Sequence, residues 1–275
     1  MRIKSERIAS DMKFSYFPGC TLKTRAKQLD MQARACAGLL GVTLEELPGW
    51  QCCGGVYNTA ADLTADKLAA VRALAAARDA GQPLVTVCSA CHNVLMRTNA
   101  AMRDDAVFAD RVNRYLAQGS PDFRPYHGEV RVYHYLELLR DVIGYGAVRA
   151  AVKQPLDGMK IGSYYGCLLL RPSAVMAMDN PENPRIMEDF IASLGAEPVR
   201  FAARVECCGG YTALDTPDAA RKKSGAILDN ASDAGAQMLI TACPLCRYNL
   251  TRTEHRLPVV YFTELLARAL GVCEE

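Results

Sequence analysis

Five cysteines, arranged in one order, occur twice in this chain, and that duplication constrains the fold more than any other feature. Cys20, Cys52-Cys53-Gly54-Gly55 and Cys88-Ser-Ala-Cys91 form the first set. Cys167, Cys207-Cys208-Gly209-Gly210 and Cys243-Pro-Leu-Cys246 form the second. The Cys-Cys pair and the C-x-x-C are separated by 34 residues in both halves, whereas the stretch before the pair is 31 residues in one and 39 in the other. Ten of the 12 cysteines obey this scheme, which identifies an internal duplication.

Strand signals alternate with helix signals around these cysteines. Residues 13–17, 42–47, 83–87 and 130–133 read as short apolar strands of the first half. Residues 160–165, 198–201, 238–242 and 258–261 read as their counterparts in the second. Helices are expected over 24–40, 60–80, 134–143, 181–194, 216–234 and 263–270, with another opened by each C-x-x-C. Residues 101–126 lack a counterpart and read as an inserted helical hairpin, and 151–158 as a linker. The fold class is α/β: two pseudo-two-fold-related domains, 13–150 and 159–275, each a small, mostly parallel sheet covered by helices. Residues 1–12 read as an extension before the first strand.

That topology brings the thiols together. Cys20, the Cys52-Cys53 pair and Cys88 each follow the carboxyl end of a strand, the edge at which parallel α/β sheets bind ligands. Cys88 and Cys91 share the first turn of a helix, whose N-terminus favours thiolate. Adjacent cysteines in extended chain point to opposite faces, so the Gly-Gly that follows each pair is expected to supply the backbone angles that fold both thiols inward. A structural zinc site takes four ligands, as does an ordinary cubane cluster. Five thiolates with a vicinal pair point instead to an iron–sulfur species with more iron coordination sites, or to a thiolate shared by two irons. Zinc is the weaker alternative, and packing as reduced apolar thiols suits a scattered cysteine rather than a duplicated set.

Composition narrows the function. A net charge of +2 leaves no footprint for nucleic acid or an anionic membrane. No apolar run approaches a membrane span and the N-terminus lacks a signal-peptide core, so a cytoplasmic setting without direct membrane insertion is expected. Twelve cysteines in that setting point to metal rather than to disulfides. There is no G-x-G-x-x-G opening a helix, no P-loop and no C-x-x-C-x-x-C-x-x-x-C-P run, so flavin, nucleotide and cubane clusters are expected on partner proteins.

Phe17-Pro-Gly-Cys20-Thr-Leu, the two Cys-Cys-Gly-Gly loops, Asp179-Asn-Pro-Glu-Asn-Pro184 and Cys243-Pro-Leu-Cys-Arg-Tyr-Asn-Leu250 carry a resemblance to the B subunit of heterodisulfide reductase, from Lys13 onward. The resemblance implies two non-cubane [4Fe–4S] clusters, one on Cys20, Cys52, Cys53, Cys88 and Cys91, the other on Cys167, Cys207, Cys208, Cys243 and Cys246. It implies reduction of a disulfide to two thiols between clusters that face each other. It also implies two partners that supply the electrons: the ferredoxin-like iron–sulfur C subunit, with the flavoprotein A subunit. The same cysteine-rich CCG module occurs in lactate-utilisation, glycolate, glycerol-3-phosphate and fumarate-type oxidoreductases, so the alternative is an electron-relay role. No side chain is assigned as catalytic. Lys23 and Arg171, just after Cys20 and Cys167, are candidate contacts for an acidic substrate, with solvated surface charge as the competing reading. His92 reads either as a donor to a cluster sulfur or as an exposed helix residue. His134 reads as a capping or buried group, Cys36 as core and Cys273 as a free surface thiol.

Overall fold

The computed structural model describes residues 12–55, 62–120 and 122–272; the extension before Met12, the start of the helix expected from residue 60, and Cys273 lie outside them. Among the described residues, eight short strands form two sheets. The first contains β1 (Met12–Phe17), β2 (Val42–Glu46), β3 (Leu84–Thr86) and β4 (Val132–His134) in the order β2-β1-β3-β4. The second contains β5 (Lys160–Tyr164), β6 (Glu197–Val199), β7 (Met238–Thr241) and β8 (Val259–Tyr261) in the order β6-β5-β7-β8. Every pairing is parallel, with Tyr16 opposite Glu46, Phe17 opposite Thr86 and Thr86 opposite His134 at the carboxyl ends of the first sheet. The same order on both sides meets the expectation of a duplicated α/β fold, and all eight expected strands are present.

The helices differ in detail from the pattern-based expectation. The segment 24–40 is not one helix: α1 (Cys20–Thr24) ends where Ala26 takes φ −131°, and α2 (Lys27–Leu39) restarts beyond it. α3 (Leu63–Asp79) is capped by Asp62, whose carboxylate accepts from Ala65 N. The insertion is not a separate hairpin, because α4 (Ser89–Asp104) runs unbroken from the first C-x-x-C into it before Asp105 caps α5 (Ala106–Gly119). Beyond β4, α6 (Tyr135–Glu137) continues as a π-helical stretch to Ile143 and stops at Gly144, followed by an unanticipated α7 (Tyr145–Ala151).

In the second half the helix expected from residue 181 begins later. After the short α8 (Ser173–Met176), Asn180 Oδ1 accepts from Glu182 N and Asn183 N, and Asp179 Oδ2 from Arg185 N and Ile186 N. These side-chain bonds hold 179–185 as a turn, and α9 (Ile186–Ser193) starts where they end. α10 (Pro217–Asp233), α11 (Pro244–Thr251) and α12 (Phe262–Leu270) complete the layer.

One hydrophobic core runs through both halves. Phe262, fully buried at the start of α12, packs on Tyr135, Phe190 and the His134 ring at centroid distances of 5.9, 6.1 and 5.7 Å. Burying one such ring contributes roughly 1.5–3 kcal/mol. Cys36 lies wholly within this core, and burial raises its thiol pKa to about 12, which fits the packing role expected of it. Residues 152–158 do not swing free, since Lys153 N and Gln154 N donate to Ala269 O and Leu156 N to Leu194 O.

Candidate metal centre at the seam of the two halves

The carboxyl ends of both sheets face one another, and the cysteines follow those ends. β1 runs through Pro18-Gly19 into Cys20, and β5 through Tyr165-Gly166 into Cys167. Gly19 and Gly166 take φ of 78° and 65°, and each lies against the last thiol of its own set. A Cβ on Gly19 would sit 2.7 Å from Cys91 Sγ, and one on Gly166 3.1 Å from Cys246 Sγ. Glycine is therefore demanded twice over at these positions, by backbone conformation and by space. Gly54 and Gly209 also take positive φ, 74° and 80°, as expected of the residue that folds a vicinal cysteine pair inward.

Cys88 and Cys243 are the N-cap residues of α4 and α11, which puts Cys91 and Cys246 in the first helical turn. The preceding strand fixes each N-cap, with Thr86 Oγ1 accepting from Cys88 N at 3.5 Å and Thr241 Oγ1 from Cys243 N at 3.4 Å.

The ten thiols form one continuous file. Cys20 Sγ lies 3.5 Å from Cys52 Sγ, Cys53 Sγ 3.4 Å from Cys91 Sγ, and Cys208 Sγ 3.5 Å from Cys246 Sγ. Next to one another along the file are also Cys52 and Cys53, Cys91 and Cys88, Cys243 and Cys246, Cys208 and Cys207, and Cys207 and Cys167. The link that joins the sets is Cys88 to Cys243, across the seam. Crowding polarises the file. The neighbouring Cys52 and Cys91 thiols hold Cys53 well below the ordinary thiol value, and the Cys167 and Cys208 thiols lower Cys207. Cys20, Cys91, Cys167 and Cys246 are pushed up, chiefly by the sulfur packed against each and then by burial. Packed sulfurs cannot all ionise without a compensating cation. Among the described residues no three His, Cys, Asp or Glu side chains close on the geometry of one metal ion. The donor set suits a polynuclear iron–sulfur group, whose inorganic sulfides and several irons spread the ligands apart.

Two residues that the sequence did not single out sew the seam. Tyr261 Oη lies 2.8 Å from both Val87 O and Ala242 O, the carbonyls just before each C-x-x-C. Ser89 donates to Ala242 O from its backbone N at 3.1 Å and from Oγ at 2.7 Å. Tyr261 occupies the place in β8 that His134 occupies in β4, and this equivalence is the signal that marked the position. His134 Nδ1 accepts from Leu136 N, so Nε2 carries the proton and donates to Val87 O at 3.1 Å. His134 is thus both cap and buried group. Tyr211, directly after the second Cys-Cys-Gly-Gly, donates to Gly55 O at 2.7 Å and ties the two loops together; nothing in its sequence context announced this.

The remaining candidates stand as follows. His92 is fully buried rather than on an exposed helix face, with Nε2 3.3 Å from Glu137 Oε2. Lys23 reaches Glu46 at 2.8 Å and Asp30 at 3.8 Å, and Arg171 reaches Glu182 at 2.8 Å. Both are half-exposed beside the first cysteine of their set. A narrow crevice lined by Ser89 from one half and Leu168, Tyr211 and Leu245 from the other reaches the C-terminal sulfurs. A larger cavity of about 350 Å³, beside Gln32, Gln154 and Arg268, has no cysteine in its wall.

Two parallel α/β halves that present matched five-cysteine sets to one seam define a tandem cysteine-rich domain protein. The chain belongs to the family of the cysteine-rich domain CCG, whose model matches residues 14–96 and 161–251. It is 32% identical over 270 residues to the 8-methylmenaquinol:fumarate reductase membrane anchor subunit of Wolinella succinogenes, covering 94% of this chain and 93% of that one. It is 27% identical to the B subunit of the ferredoxin/F(420)H(2)-dependent CoB-CoM heterodisulfide reductase of Methanosarcina acetivorans, covering 94% and 89%. A protein of Archaeoglobus profundus named as like the B subunit of heterodisulfide reductase is 25% identical over 94% of this chain. The resemblance to that B subunit, read from the cysteine motifs, is thus borne out. A crystal structure of a hypothetical protein from Helicobacter pylori matches with a TM-score of 0.70 at 13% identity, a likeness of fold alone. It covers 96% of this chain, which spans about half the length of that protein. Although one relative is named a membrane anchor, no helix among the described residues is long and apolar enough to cross a membrane.

Proposed function

We propose that this chain is the disulfide-reducing iron–sulfur subunit of a heterodisulfide reductase-like complex. The observation that supports it is the single file of ten sulfurs, five from each half, meeting at Cys88 and Cys243. On this reading 13–150 and 159–275 are the two domains. Cys20, Cys52, Cys53, Cys88 and Cys91 hold one non-cubane [4Fe–4S] cluster, and Cys167, Cys207, Cys208, Cys243 and Cys246 the other. When bound, each cluster supplies one of the two electrons that opening a disulfide requires. The protein's own work is geometric. Gly19 and Gly166 leave room beside the last thiol, Thr86 and Thr241 fix the first residue of each C-x-x-C, and Tyr261 and Ser89 keep the two sets in register. Lys23 and Arg171 meet acidic groups of the substrate after giving up Glu46 and Glu182. Electrons come from a ferredoxin-like partner and, through it, a flavoprotein, in the cytoplasm.

A second reading is favoured by the 32% identity to a component of a quinol:fumarate reductase. There the clusters relay electrons and never meet a sulfur substrate. Anaerobic protein examined by electron paramagnetic resonance with and without a panel of thiols separates the two. A cluster signal altered by thiol supports disulfide reduction. Signals indifferent to every thiol, with activity retained after loss of one cluster, support the relay.

A further inference from the structure

Behind each C-x-x-C the chain carries a different base at the same place. His92 follows Cys91 and Arg247 follows Cys246, so the two are equivalent under the duplication. Each pairs with the capping-box glutamate of the helix that follows the last strand of its half. His92 Nε2 lies 3.3 Å from Glu137 Oε2, and Arg247 Nη2 lies 3.1 Å from Glu264 Oε1. Those glutamates are themselves equivalent, accepting from His134 N at 2.8 Å and from Tyr261 N at 2.6 Å. Both bases also bury nitrogen that makes no hydrogen bond: Nδ1 of His92, whose Nε2 has only the Glu137 carboxylate at 3.3 Å, and Nε of Arg247. Buried polar groups are ordinarily satisfied. Unsatisfied nitrogen at the same place in both copies, one residue from a cysteine of the sulfur file, marks a missing acceptor. The sulfurs of an iron–sulfur group are acceptors, and hydrogen bonds and charge beside them set the potential.

Resting on the reading that each set holds such a group, we propose that His92 and Arg247 are positioning residues that poise the two sites at unequal potentials, the C-terminal site higher. Reduction adds negative charge, which a neighbouring cation stabilises. Arginine brings a fixed positive charge to the C-terminal site, and the residue at the same place in the first site is a histidine. The two glutamates are common to both sites and cancel in the comparison. Solvent reaches part of the Arg247 side chain and moderates the effect, while its Nε stays sealed. The consequence is an order of filling: the first electron to arrive settles beside Arg247.

The test uses whole protein with one site disabled at a time, Cys53→Ser to leave the C-terminal site and Cys208→Ser to leave the N-terminal one. Redox titration followed by electron paramagnetic resonance gives each midpoint potential with residues 92 and 247 untouched. The C-terminal site should titrate at the higher potential. Arg247→Gln should then lower that potential, Arg247→Lys should return most of it, and neither should move the N-terminal value. Equal or reversed potentials in the two backgrounds overturn the inference while leaving the cluster reading standing. So does an Arg247→Gln protein that keeps its iron and shows no shift, or one in which both sites shift together. Protein that binds stoichiometric zinc and no labile sulfide overturns the cluster reading, and the inference falls with it.

Discussion

The thiols of Cys88 and Cys243, 155 positions apart, are neighbours across the seam. Each is the N-cap of a helix and the first residue of its C-x-x-C, so the contact joins identical points of the two copies. Whatever the two sets hold is therefore held side by side.

The metal content follows from this arrangement. Anaerobically purified protein should carry about eight irons and eight labile sulfides per chain, as two [4Fe–4S] groups require. Serine at Cys52, Cys53, Cys207 or Cys208 should remove about half of that iron. Cys36→Ser should remove none, because Cys36 sits in the core away from the sulfur file. Iron, sulfide and zinc analysis checks all of these.

The glycines before Cys20 and Cys167 give a graded expectation. Gly19→Ala forces a Cβ to 2.7 Å from Cys91 Sγ at φ 78°, whereas Gly166→Ala reaches only 3.1 Å from Cys246 Sγ. The backbone cost of such conformations is about 1–3 kcal/mol, and Gly19, at φ 78° and ψ 161°, lies in a region open essentially to glycine alone. Iron content should fall in both variants, further for Gly19→Ala, and each should lose only the signal of its own set.

Tyr261→Phe keeps the ring and removes the hydroxyl that bridges Val87 O and Ala242 O. Other donors still serve both carbonyls, so the loss should be about 0.5–1.5 kcal/mol, the net worth of one hydrogen bond. Denaturant unfolding of the two proteins measures it, and a difference below that range would mean the bridge is incidental.

His134 supplies the pH dependence. Burial, with His92 beside it, holds its pKa well below the ordinary imidazole value. The folded protein thus keeps His134 neutral where the unfolded chain, with a pKa near 6.5, takes up a proton. Protonation of the unfolded state drains stability as pH falls below about 6.5, and stability is full above it. Wild type should lose more stability than His134→Gln between pH 7.5 and 5.5. Parallel pH curves for the two would remove His134 as the cause.

Lys23 and Arg171 give the substrate test. Each is held by a carboxylate of its own half, Glu46 or Glu182, which an acidic substrate must displace. Alanine at either position should raise KM for an acidic disulfide several-fold and leave kcat near its original value. An unchanged KM would return both residues to ordinary surface charge.

How much of this was legible beforehand depended on the range of each interaction. Short strands of three to six residues are local signals, and all eight were readable, as was the convergence that follows from strands ending at Cys20, Cys88, Cys167 and Cys243. Helix limits were less so. The turn at 179–185 exists because the Asp179 and Asn180 side chains outcompete helical bonding, and no periodicity records that. α4 runs into the insertion because no breaker stands between Ser89 and Asp104. His92 shows a different limit: its helix position looks like any other until β4 and α6 cover it. Tyr211 and Tyr261 act across the seam, and their partners are backbone carbonyls, which have no identity in a sequence.

The seam carbonyls have one more implication. Val87 O and Ala242 O are exchanged by the pseudo-two-fold, and a single Tyr261 hydroxyl lies between them. A side chain that stands on such an axis is needed once, whereas a true dimer of identical halves must supply it twice, and the two phenols would collide. Fusion into one chain lifts that requirement. One copy keeps the tyrosine, the other carries His134 at the matching point, and the two halves are free to differ even where they touch.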